Sequence, residues 1–256
     1  MQRYRILDTP VDAVSMEEAL HFVEKTIDQG NKIQAILAVN PEKVFQLREK
    51  PFLKSFFEEA GLLIPDGIGI AKALDIIYNK KIKRCPGADL MQNICELAAK
   101  RNYRVFLFGS SEDVNKRTAE ILPERYPGLT IVGRSNGFIK SKAEDSSLIN
   151  KINASQADIL FVAMGSPKQE NWVREHINEL KHVMICQCIG GTLDTIAGKV
   201  KRAPDFFQKI YLEWFFRLLC QPKRFKRQIN CLKFMFEVFR YKLTRHKEQM
   251  NDASND

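Results

Sequence analysis

Six short apolar runs, each set off by an amphipathic stretch, constrain this chain more than any other feature. The runs cover residues 33–39, 62–64, 105–108, 129–132, 159–164 and 183–189. They are rich in Ile, Val, Leu and Phe and lack apolar–polar alternation. Strands of that kind must be covered on both faces, as in a parallel sheet. Helical periodicity fills the intervals. Ser15 with Glu18 forms a capping box that opens a helix closed by Gly30. Further helices are expected over 41–49, 52–60, 68–78, 88–101, 112–125, 146–154 and 167–180. Strand then helix, repeated, predicts a Rossmann-like α/β domain built on a parallel sheet.

Charge divides the chain. Residues 1–198 carry 26 Lys and Arg against 25 Asp and Glu, whereas residues 199–247 carry 14 against 3. The reading is therefore an α/β domain over 1–198, a basic helical appendage over 199–247 and a frayed tail over 248–256. Two helices are expected in the appendage, over 205–220 and 223–245, separated by Pro222. In the second, Phe225, Ile229, Leu232, Phe236, Phe239 and Leu243 recur at helical spacing, and Lys223, Arg224, Lys226, Arg227, Lys233 and Arg240 occupy much of the rest. A basic amphipathic helix with aromatic anchors is suited to an anionic membrane surface. The competing arrangement packs the helix on its own domain and solvates the basic face; self-association is a third way to cover apolar side chains. Aromatics on the apolar side argue against a nucleic-acid platform, which would interleave them with the basic groups. No run reaches the roughly 18 apolar residues of a membrane span. The first residues lack the apolar core of a signal peptide, so a cytoplasmic, peripheral protein is expected.

The six cysteines contain no CxxC pair. Cys186 and Cys188, two apart in a strand, point to one face and read as reduced core residues rather than metal ligands.

Ligands of open parallel sheets bind beyond the carboxyl ends of the strands. Those ends read Asn40-Pro41-Glu42, Pro65-Asp66-Gly67-Ile68-Gly69, Gly109-Ser110-Ser111-Glu112-Asp113, Gly165-Ser166-Pro167-Lys168-Gln169-Glu170 and Gly190-Gly191-Thr192-Leu193-Asp194. Glycines and small polar residues at helix starts favour phosphate or sugar hydroxyls. Neither a GxxxxGK[ST] loop nor a GxSxG elbow occurs, and Gly67-Ile68-Gly69 lacks the third glycine of a dinucleotide fingerprint. No Asp-x-Asp pair is present to hold a divalent metal. A diphosphate leaving group would then depend on arginines, and Arg84, Arg202, Arg217, Arg224 and Arg227 supply them. Asp66, directly after a buried strand, is either a general base or a turn-capping carboxylate.

In order along the chain, the strand-end segments that begin at Pro65, Gly165 and Gly190 join Arg84-Cys85-Pro86-Gly87-Ala88-Asp89, Lys201-Arg202-Ala203-Pro204, Glu213-Trp214-Phe215-Phe216-Arg217 and Pro222-Lys223-Arg224. The set resembles the WecG/TagA/CpsF glycosyltransferases over residues 33–227. The resemblance implies an inverting, metal-independent transferase without a cofactor. It would move N-acetylmannosamine from a UDP donor to undecaprenyl-diphosphate-linked N-acetylglucosamine, on the inner face of a bacterial membrane, in surface-polymer synthesis. A uronic-acid or glucose donor is the alternative within the family. By the same resemblance Asp66 is the catalytic base, Asn40 belongs to a sugar pocket, and Gln169 and Asp194 line the nucleotide-sugar site. Arg84 contacts phosphate or acceptor, and Arg217, Arg224 and Arg227 reach the diphosphate. One departure is Ala38, where the family often has Thr.

Overall fold

The computed structural model describes residues 1–30, 32–200 and 225–253. A hairpin of β1 (Arg3–Ile6) and β2 (Thr9–Asp12) comes first, followed by α1 (Met16–Gln29). Six further strands form one parallel sheet: β3 (Gln34–Val39), β4 (Leu62–Pro65), β5 (Arg104–Gly109), β6 (Thr130–Ser135), β7 (Ile159–Ala163) and β8 (Ile185–Cys188). Their order is β4-β3-β8-β7-β5-β6. The helices between them are α2 (Pro41–Glu49), α3 (Pro51–Glu59), α4 (Ile68–Tyr78), α5 (Gly87–Arg101), α6 (Glu112–Arg125), α7 (Lys142–Ser155) and α8 (Lys168–His176). After β8 come α9 (Thr192–Ile196) and, beyond the undescribed segment, α10 (Phe225–Ala253).

Alternate residues of β3, β4, β5, β7 and β8 feed two separate cores. Leu37, Val39, Leu63, Phe106, Phe108, Leu160 and Val162 face α2, α3, α4, α7 and α8. Ile36, Leu62, Ile64, Val105, Leu107, Ile159, Phe161 and Ile185 face α1, α5, α6 and α9. This two-sided burial is the physical reason that the strands read as uninterrupted apolar runs. Among the described strands, only β6, at one edge, has no fully buried residue.

Three local features depart from expectation. The β1–β2 hairpin was not foreseen. Its turn places Leu7 at φ +48° and Asp8 at φ +66°, a conformation that sequence signals as Asn-Gly or Asp-Gly. Tertiary contacts hold it instead: Asp12 accepts from Arg3 Nε and Nη2 at 2.8 and 2.9 Å, and from the Leu63 backbone N at 2.8 Å. Next, α7 begins at Lys142 rather than 146, because Ser141 accepts from Glu144 N and caps it. Finally, α8 ends at His176 and gives way to a 3-10 turn over Ile177–Glu179.

The last helix has two apolar faces. On one, Phe234 and Val238 are fully buried in the core shared by α2 and α4. Arg48 pairs with Glu237 at 2.6 Å, and Lys242 Nζ donates to Ile77 O at 3.4 Å. On the other, Leu232, Phe236, Phe239 and Leu243 are 53–75% exposed. The helix runs on to Ala253, through residues expected as tail. No helix among the described residues is long and apolar enough to cross a membrane. The helix expected over 205–220 lies outside the described residues.

Candidate active site

The connection from β5 runs outward to β6, whereas its neighbour β7 passes its chain the other way, to β8. Divergence of that kind opens a crevice at the carboxyl ends of the strands. Five strand ends converge there, and hydrogen bonds tie them to one another.

Asn40 follows β3 and is the N-cap of α2; its Oδ1 accepts from Lys43 N at 2.9 Å. Beside it, the Asp66 backbone N continues the β4–β3 pairing by donating to Val39 O at 2.9 Å. Asp66 is half-buried, and Gly67 after it has φ +92°, which turns the chain sharply into α4. Arg84, also half-buried, stands next to Cys85, whose N donates to Pro65 O at 2.9 Å. The segment holding Arg84 is thereby pinned against the strand end that carries Asp66. The Cys85 thiol reports the same neighbourhood. It is pushed up to about 12, first by burial and then by the negative field of Asp66 and Asp89.

On the far side of the crevice, Gln169 lies in the first turn of α8 and is buried. Its Oε1 accepts from Gly190 N at 2.9 Å, joining the loop after β7 to the loop after β8. Asp194, in α9, accepts from Ser110 Oγ at 3.3 Å, joining the loops after β8 and β5. Between β5 and β7 the backbones nearly touch. A Cβ at Gly109 (φ +123°) would lie 2.4 Å from the Ala163 carbonyl, so only glycine fits. Among the described residues, the N-cap positions Gly67, Ser111 and Pro167 of α4, α6 and α8 make no side-chain cap hydrogen bond. Uncapped N–H groups at helix starts suit an anionic ligand.

Asn40, Asp66, Arg84, Gln169 and Asp194 thus all occupy one edge of the sheet. Arg217 and Arg224 lie outside the described residues, as do the segments around Arg202 and Trp214. Arg227 lies in the first turn of α10. Ala38 faces α5: a Cβ on Gly87 would stand 3.8 Å from the Ala38 methyl.

Two side chains that bond to these strand ends were not singled out from the sequence. Ser110 is one; nothing in a Gly-Ser-Ser turn indicates that its hydroxyl meets a carboxylate 84 residues away. Lys43 is the other. It sits on the apolar face of α2 with Val44 and Leu47, and is only 4% exposed. A lysine at a core position of an amphipathic helix was the available signal.

The sequence pattern of the Glycosyl transferase WecG/TagA/CpsF family matches residues 4–248. Among curated proteins, the N-acetylglucosaminyldiphosphoundecaprenol N-acetyl-beta-D-mannosaminyltransferase of Bacillus spizizenii is 32% identical over 231 residues, covering 90% of this chain and 88% of that protein. Its namesake in Bacillus subtilis is 32% identical over 243 residues, covering 94% and 92%. Family match, relatives and a parallel α/β fold with polar strand ends agree: this chain belongs to the WecG/TagA/CpsF family and is a glycosyltransferase.

Proposed function

We propose that the protein transfers N-acetylmannosamine from a UDP donor to undecaprenyl-diphosphate-linked N-acetylglucosamine. The observation that carries this reading is that Asn40, Asp66, Gln169 and Asp194 all follow carboxyl ends of one parallel sheet, with the segment of Arg84 bonded to the end of β4. The names of the relatives supply the sugar and the acceptor.

In the proposed step, Asp66 takes the proton of an acceptor hydroxyl as that oxygen attacks the sugar C1. Attack opposite the departing diphosphate inverts the anomeric centre. The C1–O bond breaks with its electron pair staying on UDP. Arg84, Arg217, Arg224 and Arg227 neutralise the charge that develops there, which is the role a metal would otherwise fill. Gln169 and Asp194 hold the nucleotide sugar, and Asn40 a sugar ring. The exposed stripe Leu232, Phe236, Phe239 and Leu243 rests on the cytoplasmic face of the membrane and brings the site to its lipid-linked acceptor.

A product assay tests this. Short-chain prenyl-diphosphate N-acetylglucosamine is paired with UDP-N-acetylmannosamine, its uronic acid or UDP-glucose, with and without chelator. Acceptor-dependent UDP release with the first donor, unaffected by chelator, is expected. Asp66→Asn should lower turnover by a factor on the order of 100 while keeping donor binding. Full activity of that variant would remove Asp66 as base; loss of wild-type activity with chelator would overturn the metal-free step.

A further inference from the structure

Lys43 has the geometry of a device rather than of a surface lysine. Its side chain and that of Glu170 are 5% and 4% exposed and meet at 2.7 Å. The ammonium makes three contacts: Glu170 Oε1, Ser166 Oγ at 2.5 Å and Gln46 Oε1 at 3.1 Å. All three of its protons are therefore used. The Phe57 ring centroid lies 5.5 Å from Nζ on a further side.

The span of these contacts matters most. Lys43 belongs to α2, which follows β3, whereas Ser166 and Glu170 follow β7. Strand β8 lies between the two. The lysine thus bridges over the end of β8. Its backbone N holds Asn40 at one end of the bridge. At the other end, Glu170 and Ser166 bracket Gln169, which grips Gly190 N in the loop after β8. One buried cation therefore links three of the five strand-end loops.

Fold stability does not account for this pair. Burying two charges costs desolvation that their attraction offsets only when every remaining polar atom is satisfied. Here Glu170 Oε2 is buried and accepts no hydrogen bond among the described residues. An apolar pair of similar volume would hold α2 against α8 at least as well.

We propose that Lys43 is a positioning residue for the donor site, setting the loop 165–169 through Ser166 and Glu170 so that Gln169 meets the nucleotide sugar. The assignment rests on the glycosyltransferase reading above. Lys43 itself touches neither substrate nor reacting atoms; it acts through Gln169.

The test separates positioning from support. Lys43→Met alone strands the Glu170 carboxylate and should lower the melting temperature. The double variant K43M/E170M removes both charges and should melt close to wild type. Its donor KM should nevertheless stay raised about tenfold, the size of a lost hydrogen bond to a charged group, with acceptor KM within about twofold. Should the double variant melt early, Ser166→Ala provides the second arm. It cuts the links that the exposed Ser166 makes to Lys43 and, at 3.2 Å, to Gln46, and should raise donor KM by a smaller factor. Recovery of both melting temperature and donor KM in the double variant would make the pair purely structural and overturn the proposal. An unaltered donor KM in Ser166→Ala would also overturn it, since the loop would then be set without the bridge. If the wild-type protein turned over no UDP-sugar, the functional reading would fall and this assignment with it.

Discussion

Phe234 and Phe236 stand two residues apart in α10, yet they should respond to truncation in opposite ways. Phe234 is fully buried against α2 and α4, with its Cε1 3.8 Å from where a Cβ on Gly69 would lie. Phe236 is 64% exposed. Removing a buried phenylalanine ring costs about 3–5 kcal/mol. In a chain of this length each kcal/mol moves the melting temperature by about 2–4 °C. Phe234→Ala should therefore lower it by on the order of 10 °C. That loss is capped by the docking energy of α10: if the helix peels away first, the melt shifts less and α10 becomes the earliest site of limited proteolysis. Phe236→Ala removes no core contact and should stay within about 0.5 kcal/mol of wild type. Its effect belongs in a vesicle assay. Phe236→Ser with Phe239→Ser should weaken co-sedimentation with phosphatidylglycerol vesicles while leaving the melt unchanged. Equal destabilisation by Phe234→Ala and Phe236→Ala would refute the two-faced reading of α10. So would a Phe234→Ala protein with unaltered melting and unaltered proteolysis.

Two further outcomes are expected. Burial pushes the Cys85 and Cys95 thiols up to about 12 from near 9, and raises Cys186 and Cys188 as well. The unfolded chain ionises these groups first, so their contribution to stability is complete below pH 9 and is lost between 9 and about 12. The urea midpoint should fall across that window, and the four thiols should react with Ellman's reagent only on unfolding; prompt labelling of more than two of the six thiols, Cys220 and Cys231 being the others, would contradict their burial. Arg217→Gln, Arg224→Gln and Arg227→Gln should each lower turnover roughly tenfold or more while vesicle binding weakens far less. Retained turnover in all three would leave the basic segment as an anchor alone.

The two-sided parallel sheet was legible because burial on both faces writes long apolar runs, and because some helices carry a start signal, such as Ser15 with Glu18 or Pro41 after Asn40. The β1–β2 hairpin was not legible. Leu7 and Asp8 hold positive φ through Asp12's bonds to Arg3 and to β4, which no local pattern encodes. Among site residues, those on strand ends stood out by position: Asp66 and Asn40 follow buried strands directly. Their partners did not. Ser110 meets Asp194, and Lys43 meets Glu170, across separations of 84 and 127 residues.

By itself, then, the chain's pattern determined the α/β architecture, the family and the edge of the sheet where polar residues gather. Architecture and edge follow from local periodicity and from the rule that ligands meet parallel sheets at their carboxyl ends; the family follows from the resemblance carried by the ordered motifs. Only the tertiary structure decided which side of α10 is core and which is free. Both its faces are apolar at helical spacing, and the choice is made by the pocket that α2 and α4 offer Phe234 and Val238. Only the tertiary structure, too, turned a lysine out of pattern on α2 into a bridge over β8. Its meaning depends on strand order, and strand order is a property of the assembled sheet.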